Sequence, residues 1–165
     1  MIIAKNIVAE FAGTYILIFC GTGAVIIDQV TKGTVTHVGV AVTFGLVVMS
    51  LIYAPGDISG AHMNPAVSIA FVFARRFSLK QLLPYIFSQV TGAILASLTL
   101  KLLFPSNKLL VATLPAGVSM HFEHLWIYVT APVVGGVLSI YLWNFLKNKP
   151  NYYEYYLPGN YTQRL

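Results

Sequence analysis

The chain has 165 residues, 57% of them hydrophobic and 9% charged, with a formal net charge of +5 and a mean hydropathy of +0.74. Soluble domains carry about 25% charged residues, so these figures exclude an ordinary soluble globule and point to a polytopic membrane protein. The positive charge is scattered, with no run of five like charges, which argues against a nucleic-acid patch and fits the orientation charges of a membrane protein.

The first predicted element is a span over 7–27. Its apolar stretch, Ile7 to Ile27, exceeds the roughly 7–15 residues of a secretory-signal core, so it is expected to be retained. The single cysteine, Cys20, lies in this run. Disulfides and thiolate metal sites have nothing to build on, and the thiol is read as buried and inert.

A second span is predicted over 35–55. A shorter piece follows, within Ser59 to Phe71, "SGAHMNPAVSIAF". Asn64 to Ala74 is predicted as a helix of about half a membrane crossing, since each residue rises about 1.5 Å against a core of roughly 30 Å. Asn64 suits an N-cap and Pro65 a first helical residue. Arg75 and Arg76 lie at the far end, where cations suit a helix C-terminus. The segment is therefore predicted to enter the membrane and stop.

A third span is predicted over 81–104 and a fourth over 125–146, giving a membrane domain over 1–148. The tail over 149–165 holds Pro150 and Pro158 and no helical period. Its Asn160-Tyr161-Thr162 matches a glycosylation pattern, read as accidental on a cytoplasmic tail. With four spans, Lys5, Arg75, Arg76, Lys80, Lys147, Lys149 and Arg164 fall on one side, against Lys32 and Lys108 on the other, with Lys101 in the last turns of the third span. The richer side is expected to be cytoplasmic, with both termini inside. Close helix approach in lipid relies on small residues spaced by four. Ser88, Gly92 and Ala96 form such a stripe on the third span, and Ala41 with Gly45 on the second.

A half-helix starting at Asn64 places unpaired N–H groups and a positive dipole end deep in the membrane. Backbone of this kind must be buried in protein or face water. It attracts oxygen lone pairs and repels cations, and Asn64 adds an amide donor. This is chemistry for passing neutral, hydrogen-bonding solutes. No catalytic pairing, phosphate loop or metal-spaced cluster is legible, so neither an enzyme, a cofactor nor a metal is expected.

The runs "AEFAGTYILIFCGTGAV", "SGAHMNPAVSIAF" and "WIYVTAPVVGGVLS" resemble the aquaporin (major intrinsic protein) family, with most similarity to its nodulin-like plant branch and to bacterial members. The resemblance covers roughly 5–118 and 121–146. It implies an all-α transmembrane fold, passive conduction of water through a homotetramer of separate pores and, in the nodulin-like branch, of glycerol or uncharged metalloid acids. It maps Asn64, Pro65 and Ala66 onto the first signature loop and Phe44 onto a narrow selectivity filter. It also maps His62 onto a pore entrance, and Glu10 onto a first-span residue that braces the loop. Asp57 departs from a histidine that many members carry.

The family fold is an inverted repeat, three spans and a half-helix from each side. This chain has one Asn-Pro-Ala. Near Met120 the fourth and fifth spans of the family, the second half-helix, and the filter histidine and arginine are unmatched. His121 and His124 stand in the wrong place to replace them. The expected architecture is four spans plus one re-entrant half-helix, an incomplete inverted repeat. The function reading is a channel for water or small neutral solutes, and its alternative an internally deleted, non-conducting relic or partner subunit. A cleft lined by Phe44, His62 and Asn64 and open to one side is expected.

Overall fold

The computed structural model describes residues 2–106, 130, 133–138, 141, 142 and 145. Five helices are defined among them: α1 (Ile2–Val30), α2 (Thr36–Tyr53), α3 (Gly56–Ser59), α4 (Pro65–Phe73) and α5 (Leu79–Leu103). Residues 133–138 are helical as well. Much of the fourth predicted span, the stretch around Met120 and the tail lie outside the described residues.

Three of these helices, α1, α2 and α5, are long and apolar enough to cross a membrane. α1 runs several residues beyond the predicted span at its N-terminal end, because Ile2, Ile3 and Ala4 continue the helix and nothing in that stretch breaks it. α2 ends at Tyr53 because Pro55 follows its C-cap, and proline cannot continue a helix. Pro55 instead starts the one-turn α3, which sequence periodicity did not reveal. Gly60, with φ 88°, closes α3 in the left-handed region.

α4 is the short helix of the signature stretch. Asn64 is extended at φ −155°, its side chain accepts from the Ala66 N–H at 2.8 Å, and Pro65 is the first helical residue. One orphan donor is thereby satisfied, and the missing proline N–H costs nothing at that position. The other end stops by a Schellman arrangement. Arg76 N–H donates to the Phe71 carbonyl and Arg75 N–H to that of Val72, each at 2.9 Å. Arg75 supplies the left-handed residue at φ 57° that glycine normally provides.

α1 and α5 form the most extensive helix pair among the described residues. A Cβ built at Gly92 would lie 2.5 Å from the Phe11 carbonyl oxygen, so backbone meets backbone there. Ser88 and Ala96, one turn to either side, are buried. Further along, Ile26 and Leu100 close a small apolar cluster. Gly92→Ala should therefore force the helices apart or strain both. Overpacking of this kind costs about 1–3 kcal/mol, to be read as a lowered thermal midpoint in detergent. A midpoint equal to wild type would show that the contact relaxes freely.

The second stripe comes out differently. Ala41 and Gly45 are exposed, and nothing lies within 4 Å of a Cβ built at Gly45. Spacing by four marks a face that permits close approach, and here no described helix occupies it. By contrast, a Cβ at Gly136 would meet the Ala70 Cβ at 2.9 Å, so the helical residues 133–138 pass close to α4.

Candidate functional site

Between α3 and α4 the backbone leaves regular structure, with Ala61 at φ 49° and Met63 at φ 47°. Such residues cost of order 1–3 kcal/mol each and persist only when their surroundings over-determine them. Glu10, fully buried on α1, does this. Its Oε1 accepts from Ser59 Oγ at 2.7 Å and from the His62 N–H at 2.9 Å. Its Oε2 accepts from the Met63 N–H at 2.6 Å and from Gln89 Nε2 at 2.7 Å. Two backbone donors that no helix can satisfy thus end on one carboxylate, and the same four bonds compensate its buried charge.

The network extends beyond Glu10. Gln89 Nε2 also donates to Ser68 Oγ at 3.0 Å, and Ser68 Oγ lies 3.0 Å from His62 Nδ1. Tyr85 OH donates to the Ser59 carbonyl at 2.9 Å. Glu10, Ser59, His62, Ser68, Tyr85 and Gln89 are all buried. They tie α1, the loop, α4 and α5 into one polar core inside an apolar molecule.

His62 is enclosed by aromatic rings. Phe71 stacks on it at 4.7 Å between centroids, Phe77 meets it edge-on at 4.7 Å, and Tyr85 tilts against it at 5.3 Å. Phe44 is half-buried, and its ring occupies the space beside Gly21 of α1 where a Cβ would clash. Asn64 stays exposed. Its Oδ1 is engaged by the Ala66 N–H, so its amide nitrogen points away from the helix end and donates to no group among the described residues.

A cleft of about 490 Å³ opens at this helix end, walled by Thr14 and Ile18 of α1, by Met63, Asn64 and Pro65, and by α5 from Gln89 to Lys101. The α5 wall spans about 18 Å at 1.5 Å per residue. Its surface is mostly apolar, and Lys101 at the outer rim is its one charged residue. The structure does not gather Phe44, His62 and Asn64 into one cleft. Asn64 borders it, whereas Phe44 faces Gly21 and His62 lies in its aromatic enclosure. Side-chain direction around a helix end decides this, and linear spacing does not carry it.

Sequence reasoning passed over Ser59, Ser68, Tyr85, Gln89 and Thr14. Gln89 carried a usable signal, because an amide side chain in the middle of an apolar span demands a partner. The serines carried none, since isolated small hydroxyls satisfy themselves on their own helix.

A family model described as Major intrinsic protein matches residues 1–120. Aquaporin NIP1-1 of Oryza sativa subsp. japonica is 45% identical over 139 residues, covering 82% of this chain and 49% of its own length. Nodulin-26 of Glycine max is 41% identical over 139 residues, covering 82% and 51%. The X-ray structure of the aquaglyceroporin from Plasmodium falciparum superposes with a TM-score of 0.56 at 32% identity, covering 63% of this chain and 43% of that one. The chain spans about a third to a half of the length of the curated relatives it matches.

Proposed function

Because the chain belongs to the major intrinsic protein family, we propose that it supplies one half of a membrane path for water or small neutral solutes such as glycerol and uncharged metalloid acids. The observation that carries this reading is the exposed Asn64 amide at the capped, positive end of α4, facing a cleft with no acidic residue in its walls. A helix N-terminus repels cations, and the floor offers no cation to an anion. A neutral solute with lone pairs is what such an end accepts. The names of the aquaglyceroporin and of aquaporin NIP1-1 support the same class.

Glu10 braces the loop, Asn64, Pro65 and Ala66 present the helix end, and Phe44 is assigned to a narrowing on the α2 side. His62, held by its aromatic neighbours, is assigned to the pore entrance by the same resemblance. We further propose a homo-oligomer, a tetramer by family resemblance, with both termini cytoplasmic. A second reading, in which this chain by itself does not conduct, is favoured by the single half-helix among the described residues: its polar groups serve the cleft from one side only.

Cysteine labelling in native membranes tests the path and its direction. In a Cys20→Ser background, Asn64→Cys should react with a small water-soluble thiol reagent. Lys32→Cys should label from outside, and Arg76→Cys should resist it until the membrane is opened. An Asn64→Cys protein that reacts only with lipid-partitioning reagents would place the helix end in lipid and defeat the proposal. Equal outside labelling at positions 32 and 76 would defeat the orientation.

A further inference from the structure

The turn between α4 and α5 carries three cations in the run "RRFSLK", Arg75, Arg76 and Lys80. All three are exposed, and no aspartate or glutamate occurs between Asp57 and Glu123. The buried carboxylate of Glu10 is already taken up by its four donors. Helix electrostatics explain only part of this charge. Arg75 and Arg76 follow the negative C-terminal end of α4, where cations are favoured. Lys80 lies instead in the first turn of α5, at a positive helix end that disfavours it. Like charges gathered this closely call for an anion from outside the chain.

The surface that continues from this turn is apolar. Leu79, Leu83 and Phe87 are 69%, 75% and 72% exposed. Spaced by four, they form one ridge on α5, turned away from the face that buries Tyr85 and Gln89. From Leu79 to Phe87 the ridge is about 12 Å long at 1.5 Å per residue. That is most of the roughly 15 Å of hydrocarbon in one leaflet, half of a core of about 30 Å.

We infer that this turn and ridge bind one anionic phospholipid, its phosphate held by Arg75, Arg76 and Lys80 and an acyl chain lying along Leu79, Leu83 and Phe87. A guanidinium engages phosphate oxygens through paired N–H donors, and a lysine adds a point charge. A zwitterionic headgroup brings its own cation, which the turn repels. A soluble anion would match the charges and leave the ridge unused. A second copy packed on this face about a two-fold axis would set the same three cations against their equivalents. The inference does not depend on conduction, and the proposed orientation puts the site in the cytoplasmic leaflet.

Native mass spectrometry of the full 165-residue chain in detergent tests it, with phosphatidylglycerol or phosphatidylcholine of identical acyl chains. One phosphatidylglycerol should be retained, with an apparent affinity on the order of tenfold or more above phosphatidylcholine, since each cation near an anionic lipid contributes about fivefold. Arg75→Gln/Arg76→Gln/Lys80→Gln should remove that preference. Lys32→Gln/Lys108→Gln/Lys149→Gln removes the same charge elsewhere and should keep it. Equal retention of the two lipids by the wild type overturns the site, and so does an equal loss of preference in both triple variants, which would make net charge the cause. Inorganic phosphate at the lipid concentration should leave the lipid bound. A phosphate adduct that replaces the lipid would show a site for a free anion and overturn the lipid assignment. A dimer that forms and excludes lipid would give the face to a second copy and overturn it too. If the triple variant at the turn does not fold, Lys80→Gln alone decides: the preference should fall about fivefold, and an unchanged preference overturns the proposal.

Discussion

Replacing Glu10 by alanine is expected to abolish the ordered loop and to leave a protein that cannot be purified as a single folded species. The carboxylate receives four donors, from Ser59, His62, Met63 and Gln89. Each buried donor left without a partner costs about 1–3 kcal/mol. The strained Ala61 and Met63 each add of order 1–3 kcal/mol that nothing would then oppose. The total rivals the roughly 5–15 kcal/mol by which domains are stable at all. Glu10→Gln keeps the shape but turns an NH2 toward donors, so it should recover little. Glu10→Asp keeps the acceptors but draws them back by one methylene, so it should fall between. Amide exchange at His62 and Met63 is the direct readout, with slow exchange in wild type and fast exchange in both Ala and Gln variants. Protected amides and an unchanged thermal midpoint in Glu10→Ala would show that the loop is held by packing.

The purified chain, reconstituted alone, is expected to raise the water permeability of lipid vesicles no further than empty vesicles show. A continuous path needs a second half-helix entering from the opposite face, so that two positive ends meet near the midplane. A second copy inserted the same way presents its α4 from the same side. An inverted copy would have to carry the cations the sequence puts on the cytoplasmic side, Lys5, Arg75, Arg76, Lys80, Lys147, Lys149 and Arg164, to the outer face. At about 1 kcal/mol per cation near an anionic leaflet, that reversal opposes assembly by several kcal/mol. Stopped-flow shrinkage decides the matter. Permeability well above empty vesicles, lost when a thiol reagent is attached at Asn64→Cys, would establish conduction by copies of this chain and end the non-conducting reading.

Several features of this protein were set by local sequence. Hydropathy over about 20 residues identifies a crossing helix without knowledge of its neighbours, and α1, α2 and α5 follow from it. Asn64 before Pro65 dictates a helix start through one side-chain acceptor and one absent N–H, and α4 begins there. Gly92 with Ser88 and Ala96 marks a face that admits another backbone. All of these depend on residues within a few positions of one another.

Tertiary structure alone decided which face meets which neighbour. Ala41 and Gly45 carry the same spacing as Ser88 and Gly92, yet one pair is exposed and the other buried. In water, an apolar stripe would tell the two apart, because only the buried face of a helix is hydrophobic. In lipid both surroundings are apolar, so no stripe records which side is inside. The bonds from Glu10 to Ser59, His62, Met63 and Gln89 bridge 49 to 79 positions of chain. Their geometry exists only once α1, the loop and α5 have packed. The same packing turns Phe44 toward Gly21, encloses His62, and leaves Asn64 with Thr14 and Gln89 at the cleft. A polar side chain in an apolar span announces that it needs a partner, but the partner is chosen by the folded path of the chain.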